Sequence, residues 1–266
     1  MANGTSGGGH VMRWVKHSWK VLCKGIALAF IFGGGGLVTT IALPMMMLPS
    51  GSQCEHVQLL IHRLFRLYLR LIVFVGLIRL DIDDEQKLAA CGGKIVIANH
   101  PSLLDVVILM ACIPRTQCIV KHELWSHRFL GGLMRGAGYI SNDLDPERLV
   151  ASCKDSLNDG RTLIIFPEGT RTALGEPPHF QRGFANIATL TDTDIQPVFI
   201  TCHPPFLYKG ESWWRYPPQK PVFRVSVGES LDARSYSLYG QRSVAARKLV
   251  NLLEDYYGKQ IRNGQS

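Results

Sequence analysis

An α/β fold, with a mostly parallel central sheet flanked by helices, is the architecture this sequence predicts. Two short apolar runs, Ile95–Ala98 and Thr162–Phe166, each pass straight into a polar loop. Further strand-like runs alternate with helix-like ones as far as Val227, the pattern of parallel strands joined by crossover helices. An N-terminal membrane-embedded helical segment is expected ahead of this sheet. Residues 25–49 contain no charged residue and are numerous enough to cross a bilayer.

Three regions follow. Residues 1–10 are Gly-rich and polar and read as a disordered tail. Residues 11–80 read as a membrane-anchoring helical region, and residues 81–266 as the α/β domain. Trp14 and Trp19 stand among basic residues up to Lys24, a composition suited to a membrane interface. The glycines Gly33 to Gly36, with Pro44 and Pro49, weaken a straight helix, so a bent or re-entrant segment is the alternative to a full span. The apolar run is too long for a secretory signal. From His56 to Leu80 a second helix is expected. Arg63, Arg66 and Arg70 form one stripe and Leu60, Leu64, Leu67 and Leu71 an adjacent one, as in a helix lying at the interface with snorkelling arginines.

Charge supports this division. Residues 1–80 hold eight basic residues and one acidic residue, Glu55, for a net +7 out of the chain's +8. Anionic lipid head groups account for that bias better than nucleic acid does, and no nucleic-acid motif accompanies it. Basic residues lie on both sides of the apolar stretch, which fits a hairpin with both ends on the cytoplasmic side and the α/β domain facing the cytoplasm. Hydrophobic residues make up 46% of the chain, high for a soluble domain. The seven scattered cysteines include no Cys-x-x-Cys pair, so a reducing compartment is expected rather than a disulfide framework or a zinc site.

Within the α/β domain, Leu103–Ala111 is predicted as helix, Gln117–Val120 as strand and Lys121–Arg128 as helix. Gly131–Gly138 lacks a GxGxxG pattern and reads as close packing or a flexible loop. Asp145-Pro146 opens a helix to about Asn158, with Asp145 as its N-cap. Gln181–Leu190 reads as helix, Ile195–Ile200 and Val222–Val227 as strands, and Ser243–Tyr257 as an amphipathic helix burying Val244, Leu249, Leu252 and Leu253. The aromatic cluster Trp213-Trp214-Arg215-Tyr216 suits either a membrane contact or a packed corner.

Chemistry concentrates in the two polar loops. Pro101 fits a first helical turn but not a central strand, which puts His100 at a strand end and Asp105 about one turn into a helix. Asp105 can then accept from the imidazole Nδ1–H, leaving Nε2 free to take a proton from a hydroxyl. Spacing alone does not decide this, since His five residues before Asp is a common accident. The second loop, Pro167-Glu168-Gly169-Thr170-Arg171, changes the balance. If both strands are parallel, both loops lie at one sheet edge, where ligands bind in open α/β sheets. One supplies a base and the other a guanidinium fork suited to phosphate or carboxylate.

Asn99-His100-Pro101-Ser102-Leu103-Leu104-Asp105 and Phe166-Pro167-Glu168-Gly169-Thr170-Arg171 resemble the His-x4-Asp and Phe-Pro-Glu-Gly-Thr-Arg blocks of the glycerolipid acyltransferases. The similarity runs from about Leu80 to about Pro204. Phe180-Gln181-Arg182-Gly183 and Ile195-Gln196-Pro197-Val198 look like two weaker later blocks. The resemblance implies an O-acyltransferase. It implies that Glu168, Gly169, Thr170 and Arg171 bind the acceptor, Arg171 on its phosphate, and that Lys121 and Arg182 lie near the site. His100 would deprotonate the acceptor hydroxyl and Asp105 would steady the imidazolium. Acyl-CoA or acyl carrier protein would serve as co-substrate donor, with no cofactor and no metal. Backbone N–H groups at the start of the helix after Pro101 are candidate oxyanion donors. Ser102 lacks a Gly-x-Ser-x-Gly elbow and is not expected to act as nucleophile.

The expected acceptor is a lysophospholipid, 1-acyl-glycerol-3-phosphate above others. Many family members carry an arginine just after a Gly-x-Ile-Phe-Ile-like strand. Here Gly138-Tyr139-Ile140-Ser141-Asn142-Asp143 has none, so a lyso-lipid with another head group, an amino-acid lipid or a glycolipid, is the alternative. A non-catalytic membrane lipid-binding protein is the alternative outside enzymes. A metal-dependent hydrolase built on His122 and His127 lacks a ligand set.

Overall fold

In the computed structural model, the described residues are 17–29, 50–128, 130–174, 176, 178–212, 214–237 and 242–264. Two helices come first, α1 over residues 17–29 and α2 over Ser50–Phe74. The sheet region then runs β1 (Arg79–Ile82), α3 (Glu85–Ala89), β2 (Ile95–Ala98), α4 (Asp105–Cys112), β3 (Thr116–Val120), α5 (His122–Trp125), α6 (Gly131–Gly136), β4 (Ile140–Ser141), α7 (Pro146–Asn158), β5 (Thr162–Ile165), α8 (Gly183–Thr191), β6 (Ile195–His203), β7 (Val222–Val227), α9 (Arg234–Ser237) and α10 (Arg242–Gly264).

Seven strands form one sheet in the order β1-β7-β6-β2-β5-β3-β4. All pairings are parallel except β6 with β7. The predicted α/β class, with a mostly parallel sheet flanked by helices, is therefore the observed one. Side chains alternate across it. Val96, Ala98, Ile164, Val198 and Ile200 point into a core shared with α2 and α4. Ile95, Ile97, Leu163, Ile195 and Phe199 point into a second core beneath α7, α8 and α10. The strands are buried on both faces, which is why they read as continuous apolar runs rather than alternating ones.

Chain connectivity fixes where a ligand can enter. From β2 the chain leaves through α4, on one face, past β5 to β3. From β5 it leaves through α8, on the other face, past β2 to β6. Adjacent parallel strands whose crossovers depart in opposite directions open a crevice beyond their carboxyl ends. The loops 99–104 and 166–182 both begin at that crevice.

The seam between β2 and β6 is completed by side chains. Pro197 lies opposite Ile97 and has no N–H to give. Tyr257, fully buried on α10, inserts its hydroxyl there, donating to Ile97 O at 2.5 Å and accepting from Val198 N at 3.2 Å. Two residues on, in place of a further backbone rung, the Asn99 amide donates to Ile200 O at 2.7 Å and accepts from Ile200 N at 2.8 Å.

Several sequence expectations need correction. The second helix starts and ends earlier than the predicted His56–Leu80. Gly76 adopts φ +75 and reverses the chain, and Arg79 and Leu80 become the first residues of β1. The buried stripe of α2 is Val57, Ile61, Tyr68, Leu69 and Ile72, whereas Leu67 and Leu71 are exposed. Gly131–Gly136 is a helix, and a Cβ on Gly131 would meet Trp125 O at 2.4 Å. Leu252 is exposed rather than buried. Asp145 does cap α7, accepting from Arg148 N at 3.0 Å. In the aromatic cluster, Tyr216 is buried and Trp214 exposed, and Trp213 lies outside the described residues.

An N-terminal transmembrane helix is not supported. Among the described residues, no helix is long and apolar enough to cross a membrane. Helix α2 is long enough but carries Glu55, Arg63, Arg66 and Arg70. Lys24, read as an interfacial lysine, is 1% exposed and packs inward. Residues 30–49 of the expected span, Trp14, and the tail 1–10 lie outside the described residues.

Replacing Tyr257 by Phe keeps the ring and removes the hydroxyl from the β2–β6 seam. It is expected to cost about 1–3 kcal/mol, because buried backbone groups lose their partner. Chemical denaturation of the variant and wild type measures the difference.

Candidate active site

The crevice brings His100 and Asp105 together. His100 Nδ1 lies 2.9 Å from Asp105 Oδ2, with side-chain exposures of 15% and 0%. The same oxygen accepts from Ser102 N at 2.7 Å. Asp105 opens α4 rather than lying a turn inside it, because residues 101–104 form a separate turn. Burial pushes its carboxyl up to about 6, opposed by the His100 hydrogen bond and charge, the Ser102 N–H and the Arg171 guanidinium. When Asp105 is ionised, the proton shared with His100 rests on Nδ1, and Nε2 is the basic nitrogen. Phe166 stacks on the imidazole with centroids 4.3 Å apart and planes at 28°, which fixes the ring from the β5 side.

The second loop grips His100 by its backbone. Glu168 Oε1 accepts from His100 N at 3.0 Å, and Thr172 N donates to His100 O at 3.2 Å. Glu168 Oε2 accepts from the Thr172 hydroxyl. Both carboxylate oxygens of Glu168 are thus engaged inside the protein. Burial raises this carboxyl to about 7, and the Asp105 charge adds to the rise, while the His100 N–H and imidazole oppose it. Gly169 takes φ +69 to close the turn, its N–H donating to Phe166 O at 3.0 Å. Thr170 beside it is exposed.

Arg171 reaches toward Asp105 and is anchored at one end. Its Nη1 donates to Leu207 O at 3.0 Å and Tyr208 O at 3.3 Å. Its Nε and Nη2 take no hydrogen bond among the described residues, which leaves one two-donor edge of the guanidinium for a ligand.

The expected oxyanion donors after Pro101 are already spent. Ser102 N goes to Asp105, Leu103 N to Leu207 O at 3.0 Å, and Leu104 N to Ser102 Oγ at 3.3 Å. Ser102 itself is fully buried, and its hydroxyl donates to Phe206 O at 2.9 Å, a tie within the scaffold.

Lys121 is exposed at the end of β3, one strand beyond β5 on the same sheet edge. Arg182 follows Gln181, whose N–H donates to Pro167 O at 2.7 Å. It is exposed and lines a surface cavity of about 400 Å³ with His179, Arg247, Asn251 and Glu254, on the α10 side. None of His100, Asp105, Glu168 and Arg171 lines that cavity. The residues of the missing-arginine stretch are also occupied. Asn142 accepts from His122 N at 2.9 Å, and Asp143 lies 2.7 Å from His122 Nδ1. Sequence reasoning did not find the stacking of Phe166, the Asn99 rung or the Leu207 carbonyl. The first two sit inside the motifs and were legible only as strand ends. The third lies in a loop with no motif.

Residues 79–201 match the family described as Acyltransferase. A 1-acyl-sn-glycerol-3-phosphate acyltransferase from Helicobacter pylori is 37% identical over 115 residues, 41% of this chain and 48% of that protein. A lyso-ornithine lipid O-acyltransferase from Rhodobacter capsulatus is 34% identical over 135 residues, 46% of this chain and 48% of that protein. The chain thus spans about half the length of these relatives. A solved structure of a 1-acyl-sn-glycerophosphate acyltransferase from Thermotoga maritima has the same fold, with TM-score 0.65 and 20% identity, over 92% of this chain and 97% of that one. Over residues 79–201 the chain is therefore similar to the Acyltransferase family, and the two motif loops that carry the likeness meet at one crevice.

Proposed function

We propose that this protein is a membrane-bound O-acyltransferase. It moves a fatty acyl group from acyl-CoA or acyl carrier protein to the free hydroxyl of a lysophospholipid, 1-acyl-glycerol-3-phosphate in the first place. The observation that carries this reading is the His100–Asp105 pair at 2.9 Å with the Arg171 guanidinium near enough to act on the Asp105 charge. The relatives from Helicobacter pylori and other sources bear that activity in their names.

His100 Nε2 takes the proton from the acceptor hydroxyl as its oxygen attacks the thioester carbonyl. Asp105 holds the Nδ1 proton and stabilises the imidazolium. The tetrahedral intermediate collapses, the C–S bond breaks, and His100 returns the proton to the departing thiolate. Ester and free thiol are the products, and no acyl-enzyme forms. The N–H groups of Thr170 and Arg171, without a backbone bond among the described residues, are the donors left on the second loop for the oxyanion. Glu168 acts as the clamp on His100 rather than as an acceptor ligand.

Membrane attachment is supported by the outer faces of the first two helices. Trp19, Leu22, Ile26, Leu67, Leu71 and Phe74 are exposed there, beside Arg63 and Arg70. Such a surface suits partial immersion with cationic flanks on anionic lipid. All seven cysteines are free, in keeping with a domain on the cytoplasmic side. A second acceptor reading rests on the stretch 138–143, which holds no arginine and places Asp143 against His122. A lyso-lipid with an amino-acid head group fits that charge, and the Rhodobacter capsulatus relative is named for one.

Free-thiol release should depend on acceptor when membrane-extracted protein is given acyl-CoA or acyl carrier protein and a panel of lyso-lipids. His100→Ala should lower turnover by about 100-fold or more. Near-normal turnover in that variant would remove His100 from the reaction, and the panel names the head group. Arg171→Lys should raise acceptor KM by about tenfold while donor KM holds, since an ammonium cannot reproduce the two-donor edge. Equal change in both would make Arg171 a scaffold residue.

The two carboxyl groups give opposite pH signatures. Turnover needs ionised Asp105, so it should fall as pH drops through about 6. Glu168 is raised in the folded state from its usual 4.5 to about 7. Its stability contribution is therefore complete below 4.5 and lost as pH rises through about 7. Relative to Glu168→Gln, wild type should lose up to about 1.4 kcal/mol per pH unit within that window. Denaturation at pH 5 and pH 7.5 reads the difference, and parallel curves would place Glu168 in an ordinary aqueous environment.

A further inference from the structure

Helix α1 carries a buried charge that the reaction scheme leaves unused. Lys24 and Glu211 are each 1% exposed, with Nζ 3.2 Å from Glu211 Oε2. Lys24 also donates to Arg215 O at 2.5 Å and Ser212 O at 3.5 Å, and sits 4.8 Å from the centre of the Phe206 ring. On the other face of α1, Trp19, Leu22 and Ile26 are exposed. One helix therefore presents apolar side chains outward and, on its inner side, the buried Lys24 ammonium, with Lys20 over the Tyr216 ring a turn before it.

Glu211 passes the contact to the site. Its Oε2 accepts from Leu207 N at 2.5 Å, and its Oε1 is buried without a partner among the described residues. Leu207 adopts φ 55, a left-handed conformation that a residue with a branched side chain holds only under constraint. The Leu207 carbonyl accepts both Leu103 N, from the loop of His100, and Arg171 Nη1. Its neighbours Phe206 and Tyr208 receive Ser102 Oγ and the same Arg171 nitrogen. Lys24, Glu211, Leu207 and Arg171 thus form a continuous chain of hydrogen bonds from α1 to the crevice.

We propose that the Lys24–Glu211 pair is a positioning element for the acceptor site: by fixing the Leu207 turn it sets the free edge of Arg171, and so ties acceptor affinity to the seating of α1. This rests on the acyltransferase reading for its kinetics, though not for its structural consequence. Removing one member of a buried ion pair leaves the other charge uncompensated and disturbs what it holds. The loss should fall chiefly on acceptor binding, because the turn holds the Arg171 guanidinium itself, whereas it reaches the His100 loop at Ser102 and Leu103 and leaves the His100–Asp105 and His100–Glu168 bonds in place.

The test uses the full chain with Lys24→Met, Lys24→Arg, Arg171→Lys and the Lys24→Met/Arg171→Lys double variant. Lys24→Met should raise acceptor KM about tenfold with donor KM unchanged, and Lys24→Arg should recover most of the loss. In the Arg171→Lys background, Lys24→Met should add little, since both act on one interaction. Additive effects, or equal change in both KM values, would overturn the proposal and leave a merely structural pair. Amide hydrogen exchange gives a readout that needs no activity. Lys24→Met should speed exchange at Leu103 and Leu207 while α7 stays protected, and unchanged exchange there would also overturn the proposal. If wild type releases no thiol with any acceptor, the acyltransferase reading fails, and the exchange result still decides the role of the pair. Glu211→Gln, which keeps an acceptor for Leu207 N, replaces Lys24→Met if the latter does not fold.

Discussion

A carboxylate with no exposed surface must find its partners inside the protein, and Asp105 finds two of them on the loop it terminates. Its Oδ2 holds both the His100 imidazole and the Ser102 amide. That double acceptance folds residues 99–105 into a closed turn. The turn consumes the N–H groups at its own start, so they cannot also face a substrate. The cost of dehydrating the charge is visible in the raised carboxyl; two fixed donors on Oδ2 offset part of it, while Oδ1 is buried without a partner among the described residues. Once this turn is set, the rest of the site assembles against it. Glu168 and Thr172 clasp the His100 backbone, Phe166 covers the ring, and the Leu207 carbonyl receives Leu103.

The two sides of the sheet do different work. The α2–α4 side carries the arginine-flanked apolar surface and the buried Lys24. The α8–α10 side carries the second core and the Tyr257 hydroxyl that fills the gap opposite Pro197. The crevice lies where crossovers depart to opposite faces.

Much of this was legible in the sequence. Strands buried on both faces produce apolar runs, and Ile95–Ala98 and Thr162–Ile165 announced themselves in that way. Asp145-Pro146 marked its helix because a cap depends on two adjacent residues. His100, Asp105 and Arg171 could be named because each stands directly after such a run. What stayed hidden depends on distant partners. Glu168 looked like a ligand residue, since nothing in the sequence places it on the amide of His100. Lys24 looked interfacial because its counter-ion is Glu211, 187 positions away. The start of α4 was misplaced because Ser102 and Asp105 close their own turn ahead of the helix, a choice that propensity at Pro101 does not reveal.

The Asn99 rung has a further consequence. Along most of β2 the distance to β6 is dictated by backbone pairing, about 4.8 Å and identical for every sequence. At Ile200 that rule lapses, and spacing is set by the reach of one amide side chain. The seam between β2 and β6 therefore ends on a side-chain bridge, one residue ahead of His100, that a point substitution can alter while the backbone rungs at Ile95 and Val96 stay as they are.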